Sequence, residues 1–297
     1  MTMQIAKLGY AGFNTSDVEA MLAYYTNVLG FTLVERGGDG AVYLRSVLDH
    51  HTLVLYPAKE QGLRHIGFQL GGGQTLKDAA TQLREQGITV ETQSDAQPGV
   101  AEQLQFADPE GTLLHLYSAM EQVHTAFPET GIVPEKLGHI ALSVSDVQKI
   151  ANFYQNVLGF RVSDWIEDFF VFMRCGPDHH TMNFVQSKYQ RMNHIAFQLK
   201  DWAHVQRACD SLYTQHIPLI WGPGRHGAGH NIFTYHLNPD GQIVELFTEL
   251  DSMLNEDLGY FEPRPWHEEF PQKPKVWKAD LTATNHWGAM PPPTFLE

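Results

Sequence analysis

The chain is written twice. Residues 7–31, KLGYAGFNTSDVEAMLAYYTNVLGF, and residues 136–160, KLGHIALSVSDVQKIANFYQNVLGF, are identical at twelve of 25 positions, at a constant offset of 129. The register persists through DHHT at 49–52 and 178–181, and through RHIGFQL at 64–70 and NHIAFQL at 193–199. One inserted residue later, FADPEGTLLHLY at 106–117 lies over YHLNPDGQIVELF at 235–247. A tandem duplication limits the fold to architectures that can be built from two like halves. A fainter repeat, His139-Ile140-Ala141-Leu142 against His194-Ile195-Ala196-Phe197, recurs after 55 residues and divides each half again. Units of that size are too small to close a core alone.

Each unit opens on an alternating apolar stretch, the pattern of a half-buried strand. In the clearest copy the next apolar residues are Val147, Ile150, Ala151, Tyr154, Val157 and Leu158, a helical stripe, with Ser145 or Asp146 as N-cap and Gly159 as the stop. Short β-rich runs follow. The spacing predicts an α+β fold of four βαβββ modules forming two pseudo-equivalent domains. The expected divisions are 1–120, a linker at 121–134, a second domain at 135–250 and an extension at 251–297. That extension has no counterpart in the first half and holds Pro263, Pro265, Pro271, Pro274, Pro291, Pro292 and Pro293 together with Trp266, Trp277 and Trp287. Tryptophans are costly to leave in water, so it is expected to pack over a domain.

Composition removes several functions. A net charge of −14 gives no electrostatic footprint for nucleic acid or an anionic membrane. No run approaches the roughly 20 apolar residues of a membrane span, and MTMQIAKLGY lacks the pattern of a secretory signal. With only Cys175 and Cys209, neither a disulfide framework nor a cysteine zinc site can be built, and a reducing, cytoplasmic location is expected. The 16 histidines remain to be explained.

Duplication supplies an internal control, because packing alone is a poor reason for two equivalent positions to differ. Tyr10 becomes His139, His65 is kept as His194, and His115 becomes Glu245. His139 and His194 begin equivalent strands of sister modules. Glu245, within QIVELF, would be costly to bury without a cation. Two imidazoles and a carboxylate form the facial triad of non-haem Fe(II) oxygenases. A single such histidine would be read as a hydrogen-bonded core residue, whereas the trio points to a metal.

The stretch Gly224-Arg225-His226, eight residues, then Tyr235-His236-Leu237-Asn238-Pro239-Asp240-Gly241-Gln242-Ile243-Val244-Glu245 resembles the signature of type I extradiol ring-cleavage dioxygenases, within the vicinal oxygen chelate superfamily of paired βαβββ modules. Thr234 stands where that family usually has an aliphatic residue or Phe. The resemblance implies metal ligands at His139, His194 and Glu245, an acid–base histidine at His180 with His179 the weaker candidate, a substrate-side histidine at His226, and a tyrosine hydrogen-bonding a substrate oxygen at Tyr235. It also implies Fe(II), with Mn(II) an alternative for the same ligands, a catechol-type substrate with O2, and a homo-oligomer. The first half lacks the signature and is expected to be structural.

The aromatic ring is expected to lie against the stretch around Trp165, Phe170 and Phe172, with His179 beside it, since alternate residues of a strand face one side. Two other readings stand beside the dioxygenase. One is a metal-dependent lyase or isomerase of the glyoxalase kind, which would draw ligands from both halves. The other is a metal-free small-molecule binding module, which would not need Glu245.

Overall fold

Four strand–helix–three-strand modules follow one another along the chain, in the order that the repeat predicts. The computed structural model describes residues 3–126, 130–262 and 272–295. Pro263, Pro265, Trp266 and Pro271 lie outside the described residues. The first half consists of β1 (Ile5–Thr15), α1 (Val18–Ala23), β2 (Thr32–Arg36), β3 (Val42–Arg45) and β4 (Leu53–Pro57), then β5 (Gly62–Leu70), α2 (Leu76–Glu85), β6 (Glu91–Gln97), β7 (Val100–Ala107) and β8 (Leu113–Tyr117). The second half repeats this as β9 (Lys136–Val144), α3 (Val147–Asn156), β10 (Arg161–Ile166), β11 (Phe170–Arg174) and β12 (Met182–Gln186), then β13 (Arg191–Gln198), α4 (Trp202–Thr214), β14 (Leu219–Arg225), β15 (Ile232–Leu237) and β16 (Ile243–Thr248).

Each half folds into one mixed sheet, with the order β2-β3-β4-β1-β5-β8-β7-β6 in the first and the equivalent order in the second. The pairings match residue for residue. Ala11 faces Leu53 in one half as Ile140 faces Met182 in the other, and Gly12 faces His65 as Ala141 faces His194. The fold is therefore α+β, with two pseudo-equivalent domains. Asp146, not Ser145, caps α3 by accepting the Lys149 N–H at 2.9 Å. Ser145 instead binds Glu110 of the other half. The helix ends at Asn156, and Gly159, at φ 72°, turns the chain away.

The halves pack through pseudo-equivalent aromatic contacts. Phe31 meets Phe197 with ring centres 5.4 Å apart, and their counterparts Phe160 and Phe68 meet at 5.5 Å. Edge-to-face contacts of this kind bury large apolar area while fixing geometry. Tyr24 adds a buried 2.6 Å hydrogen bond to His236 across the same boundary. Beyond residue 250, β17 (Met253–Asn255) and β18 (Tyr260–Phe261) form a small hairpin, β19 (Val276–Trp277) joins the outer edge of β10, and α5 (Leu281–Thr284) follows. Trp277 is half-buried by this docking, whereas Trp287 stays 51% exposed against Trp202. No helix among the described residues is long and apolar enough to cross a membrane.

Candidate metal centre

Strand register brings the three differing positions together. His139 on β9 lies opposite Ala196 on β13, Ala196 lies opposite Glu245 on β16, and Glu245 lies opposite Tyr235 on β15. Residues opposite one another in a ladder point to one face, and Ala196 in the middle leaves room for the larger neighbours. His194, two residues before Ala196, shares that face. Each ligand-bearing strand of the β9–β13 pair is bulged beside its histidine, at Gly138 and at Asn193, and bulges re-aim side chains in this way. Gly138 is needed there, because a Cβ would come within 2.3 Å of the Phe247 ring. The outcome is a cluster of His139, His194 and Glu245 whose donor atoms all lie within 4.8 Å of one another.

The protons show what this cluster fits. His194 Nδ1 is 2.7 Å from Asn193 Oδ1, and the Asn193 amide is oriented by donating at 3.0 Å to the Phe295 carbonyl. The His194 proton therefore sits on Nδ1, and the Nε2 lone pair points inward. It faces Glu245 Oε2 at 3.2 Å, with His139 Nε2 3.2 Å away. His139 Nε2 stands 3.0 Å from the same carboxylate oxygen. The other oxygen of Glu245 accepts from Asn231 Nδ2 at 2.9 Å. Burial drives His139 below the usual imidazole range despite the carboxylate beside it. Burial alone would raise Glu245; holding it well below the ordinary carboxylate value takes an N–H or positive charge at the facing His139 and His194 nitrogens, which the His194 tautomer does not supply. A lone pair directed at a buried anion is repulsive with nothing between them, so the donor set suits a divalent cation.

Around the cluster lie the other residues singled out in the sequence. The His180 ring stands 4.3 Å from that of His139, and burial, with His139 and His179 nearby, pushes its pKa well below normal. Tyr235 is 5.4 Å from His194, ring to ring. His226 Nδ1 lies 2.6 Å from the Thr284 carbonyl, which can only accept, so Nδ1–H donates there and Nε2 accepts the Tyr235 hydroxyl at 3.0 Å. Burial holds His226 down at about 4, and burial followed by Glu245 lifts the Tyr235 phenol well above its ordinary value. Phe172 lies 5.2 Å from His180 and stacks on Phe170.

Two expectations are altered. Trp165 pairs with Val171, one residue out of phase with the Ile166–Phe170 and Asp164–Phe172 pairs, so it packs on the helix-side core and not beside Phe170 and Phe172. Strand parity across the hairpin places it on the wrong face for a ring pocket. His179 is turned away from the cluster, with one nitrogen at 3.1 Å from Asp164 and the other at 3.0 Å from His180. Sequence reasoning missed Asp164, Asn193 and Asn231. Asn193 was detectable, since its counterpart Arg64 differs in the same way as the ligands do. Phe295, which covers His194 and Tyr235 at 6.3 and 4.9 Å, comes from the extension, where no repeat could flag it.

Comparisons with known proteins converge on this architecture. The profile of the Glyoxalase/Bleomycin resistance protein/Dioxygenase superfamily matches residues 7–116 and again 136–246. The chain is 30% identical over 264 residues to a biphenyl-2,3-diol 1,2-dioxygenase of Paraburkholderia xenovorans, covering 82% of this chain and 87% of that protein. It is 27% identical over 302 residues to a manganese-dependent 2,3-dihydroxybiphenyl 1,2-dioxygenase of Geobacillus genomosp. 3, covering 93% and 95%. Among solved structures, a Mn(II)-bound glyoxalase from Novosphingobium aromaticivorans superposes with a TM-score of 0.86 at 26% identity, covering 99% of this chain and 95% of that one.

Proposed function

Because the chain belongs to this superfamily, and within it to the extradiol ring-cleaving dioxygenases, we propose that it opens a catechol ring beside the diol at a single Fe(II) held by His139, His194 and Glu245. The observation that carries this reading is the inward lone pair of His194 facing the buried Glu245 carboxylate at 3.2 Å. Two neutral imidazoles and one carboxylate leave a divalent ion with one net positive charge, which a singly ionised catechol neutralises. Mn(II) is the alternative ion for the same donors. When bound, the metal supplies Lewis acidity toward the diol and a common site for the diol and O2. Both oxygen atoms enter the product, so no reductant is consumed.

The chain's own groups do the rest. His180, which is not a ligand, takes a proton from a diol hydroxyl and returns it to an oxygen of the opening ring, a role that needs an imidazole neutral at the start. Tyr235 keeps its proton, hydrogen-bonded to His226 Nε2 until a diol binds, and then turns that one O–H toward the oxygen on which charge builds. Phe172 and Phe170 form an apolar wall for the ring next to His180. Half-buried free Cys175 and Cys209 suit a reducing compartment, the cytoplasm.

The experiment is to purify the protein anaerobically, load it with Fe(II), count the metal and add catechol with an oxygen electrode in place. Oxygen uptake matched by a yellow ring-opened product is expected. A metal-loaded protein that binds catechol with neither oxygen uptake nor colour would favour the glyoxalase-like reading, and one that holds no metal would favour a binding module.

A further inference from the structure

Behind His180 lies a chain of hydrogen bonds that the ligand set does not require. Asp164 on β10 is 1% exposed, a buried carboxylate in need of donors. It has three. Its Oδ1 accepts the backbone N–H of Lys275 at 2.8 Å, its Oδ2 accepts the Trp277 indole N–H at 2.7 Å, and Oδ2 also lies 3.1 Å from His179 Nε2. The two adjacent imidazoles then meet nitrogen to nitrogen, His179 Nδ1 to His180 Nδ1 at 3.0 Å.

With His179 neutral, donor and acceptor counting gives one arrangement of protons along this chain. A carboxylate only accepts, so His179 must present an N–H at Nε2. A neutral imidazole then has its lone pair at Nδ1. Two Nδ1 atoms 3.0 Å apart share one proton, which must belong to His180. We infer that Asp164, acting through His179, is a positioning residue that fixes His180 as the Nδ1–H tautomer, so that Nε2 is the nitrogen left free to take a proton, and that the C-terminal strand Val276–Trp277 holds Asp164 in place.

The first half shows the same pair without this device. His50 and His51 meet Nδ1 to Nδ1 at 3.2 Å. The position equivalent to Asp164 is Glu35, which is exposed on β2, and among the described residues no hydrogen bond joins it to His50. No strand beyond β2 covers that edge among the described residues. A buried carboxylate bonded to the histidine pair, a covering strand and a metal cluster thus occur together in one half, whereas in the other the equivalent carboxylate, Glu35, is exposed and unbonded to His50 among the described residues. His179, which the resemblance offers as the weaker acid–base candidate, becomes the link between Asp164 and His180.

This inference rests on His180 being the acid–base group, and its test separates the two. Protein labelled with 15N-histidine and loaded with diamagnetic Zn(II) reports the tautomer of each ring, and the His180 signals are those lost in His180→Asn. Wild type is expected to show a protonated Nδ1 and an unprotonated Nε2 at His180. Asp164→Asn, which exchanges one acceptor for a donor at nearly constant shape, is expected to move that proton. In the Fe(II)-loaded enzyme it should lower kcat about 10- to 10³-fold, no more than the roughly 10²–10⁴-fold that a general base itself supplies, with iron content and KM for catechol near wild type. Adding Asp164→Asn to His180→Asn should cost nothing further, because both act through one ring. A wild-type His180 protonated at Nε2 would overturn the inference whether or not Asp164→Asn folds. So would full turnover in Asp164→Asn with an unmoved proton while His180→Asn is impaired. Full turnover in His180→Asn would overturn the acid–base reading itself.

Discussion

The two halves offer one backbone with two interiors. In the second, the ladder row across four strands reads His139, Ala196, Glu245, Tyr235; in the first, the equivalent row reads Tyr10, Gly67, His115, Gln105. The exchange is also steric. Tyr10 fills the space that His139 leaves open, and Gly67 replaces Ala196 because a Cβ there would come within 2.2 Å of the tyrosine ring. Where one half presents the His194 lone pair to a buried anion, the other closes a neutral network. The Tyr10 hydroxyl lies 2.9 Å from His115 Nδ1, Gln97 donates to that hydroxyl at 2.5 Å and to Gln103 at 2.8 Å, and His115 Nε2 is 3.1 Å from Gln105. Burial holds His51 at about 3 and His115 at about 4, so these rings stay neutral. Polar residues in the middle of this sheet thus need not signal chemistry, whereas a buried carboxylate facing an imidazole lone pair does.

The sharpest way to break the comparison is to remove the carboxylate. Glu245→Ala should reduce metal retention by more than about 10²-fold, since even residues that only orient ligands are worth 10–100-fold in metal affinity. His115→Ala, at the matching place, should leave the metal content unchanged. Elemental analysis of both purified proteins gives the answer, and two metals per chain in the wild type would undo the distinction between the halves.

The next effect is on turnover alone. His180→Asn should lower kcat by about 10²–10⁴, the usual contribution of a general acid–base group, while iron content and anaerobic catechol binding stay near wild type. His51→Asn alters the same local sequence in the half without the ligands and should change turnover per iron by less than twofold. Loss of iron in His180→Asn would make that residue a ligand and the assigned triad wrong.

How much of this could be read from residues alone depends on which interactions the repeat carried. That the two halves would share one fold followed from the offset of 129, because equal sequence in equal register places equal positions alike, and the inner repeat of 55 placed His139 and His194 on equivalent strands. The roles of Asn193 and Asp164 followed from neither. Each acts by a hydrogen bond made over a few ångströms to a residue brought there by tertiary packing, and Asp164 meets Trp277 from 113 positions away. The error at Trp165 was one of parity: the aromatic run was read as a single surface, but the turn between β10 and β11 sets which residues share a face. The extension was legible only as a place rich in proline and tryptophan. Its contacts, Thr284 to His226 and Phe295 to Asn193, have no periodicity to announce them.

The smallest expected effect concerns stability, where the halves differ in a turn. Asp108 precedes β8 and accepts the backbone N–H groups of Glu110 and Thr112, both at 2.9 Å. Its counterpart Asn238 accepts the Gln242 N–H at the same distance, without a charge. Burial pushes the Asp108 carboxyl up to about 6 from an ordinary 3.8. The folded chain therefore holds this proton more tightly than the unfolded chain does. The stability that goes with it is fully present below about pH 4 and is lost as pH rises through about 6. At about 1.4 kcal/mol per pKa unit, ionisation in the folded state costs on the order of 2–3 kcal/mol at neutral pH. Asp108→Asn keeps the accepting oxygen and removes the charge, installing the second half's own solution. The variant should melt a few degrees higher than wild type at pH 7 to 8, with the advantage fading as pH falls through 6 toward 4. Thermal melts across that range decide the matter, and parallel curves for the two proteins would show that the turn tolerates the charge in either half.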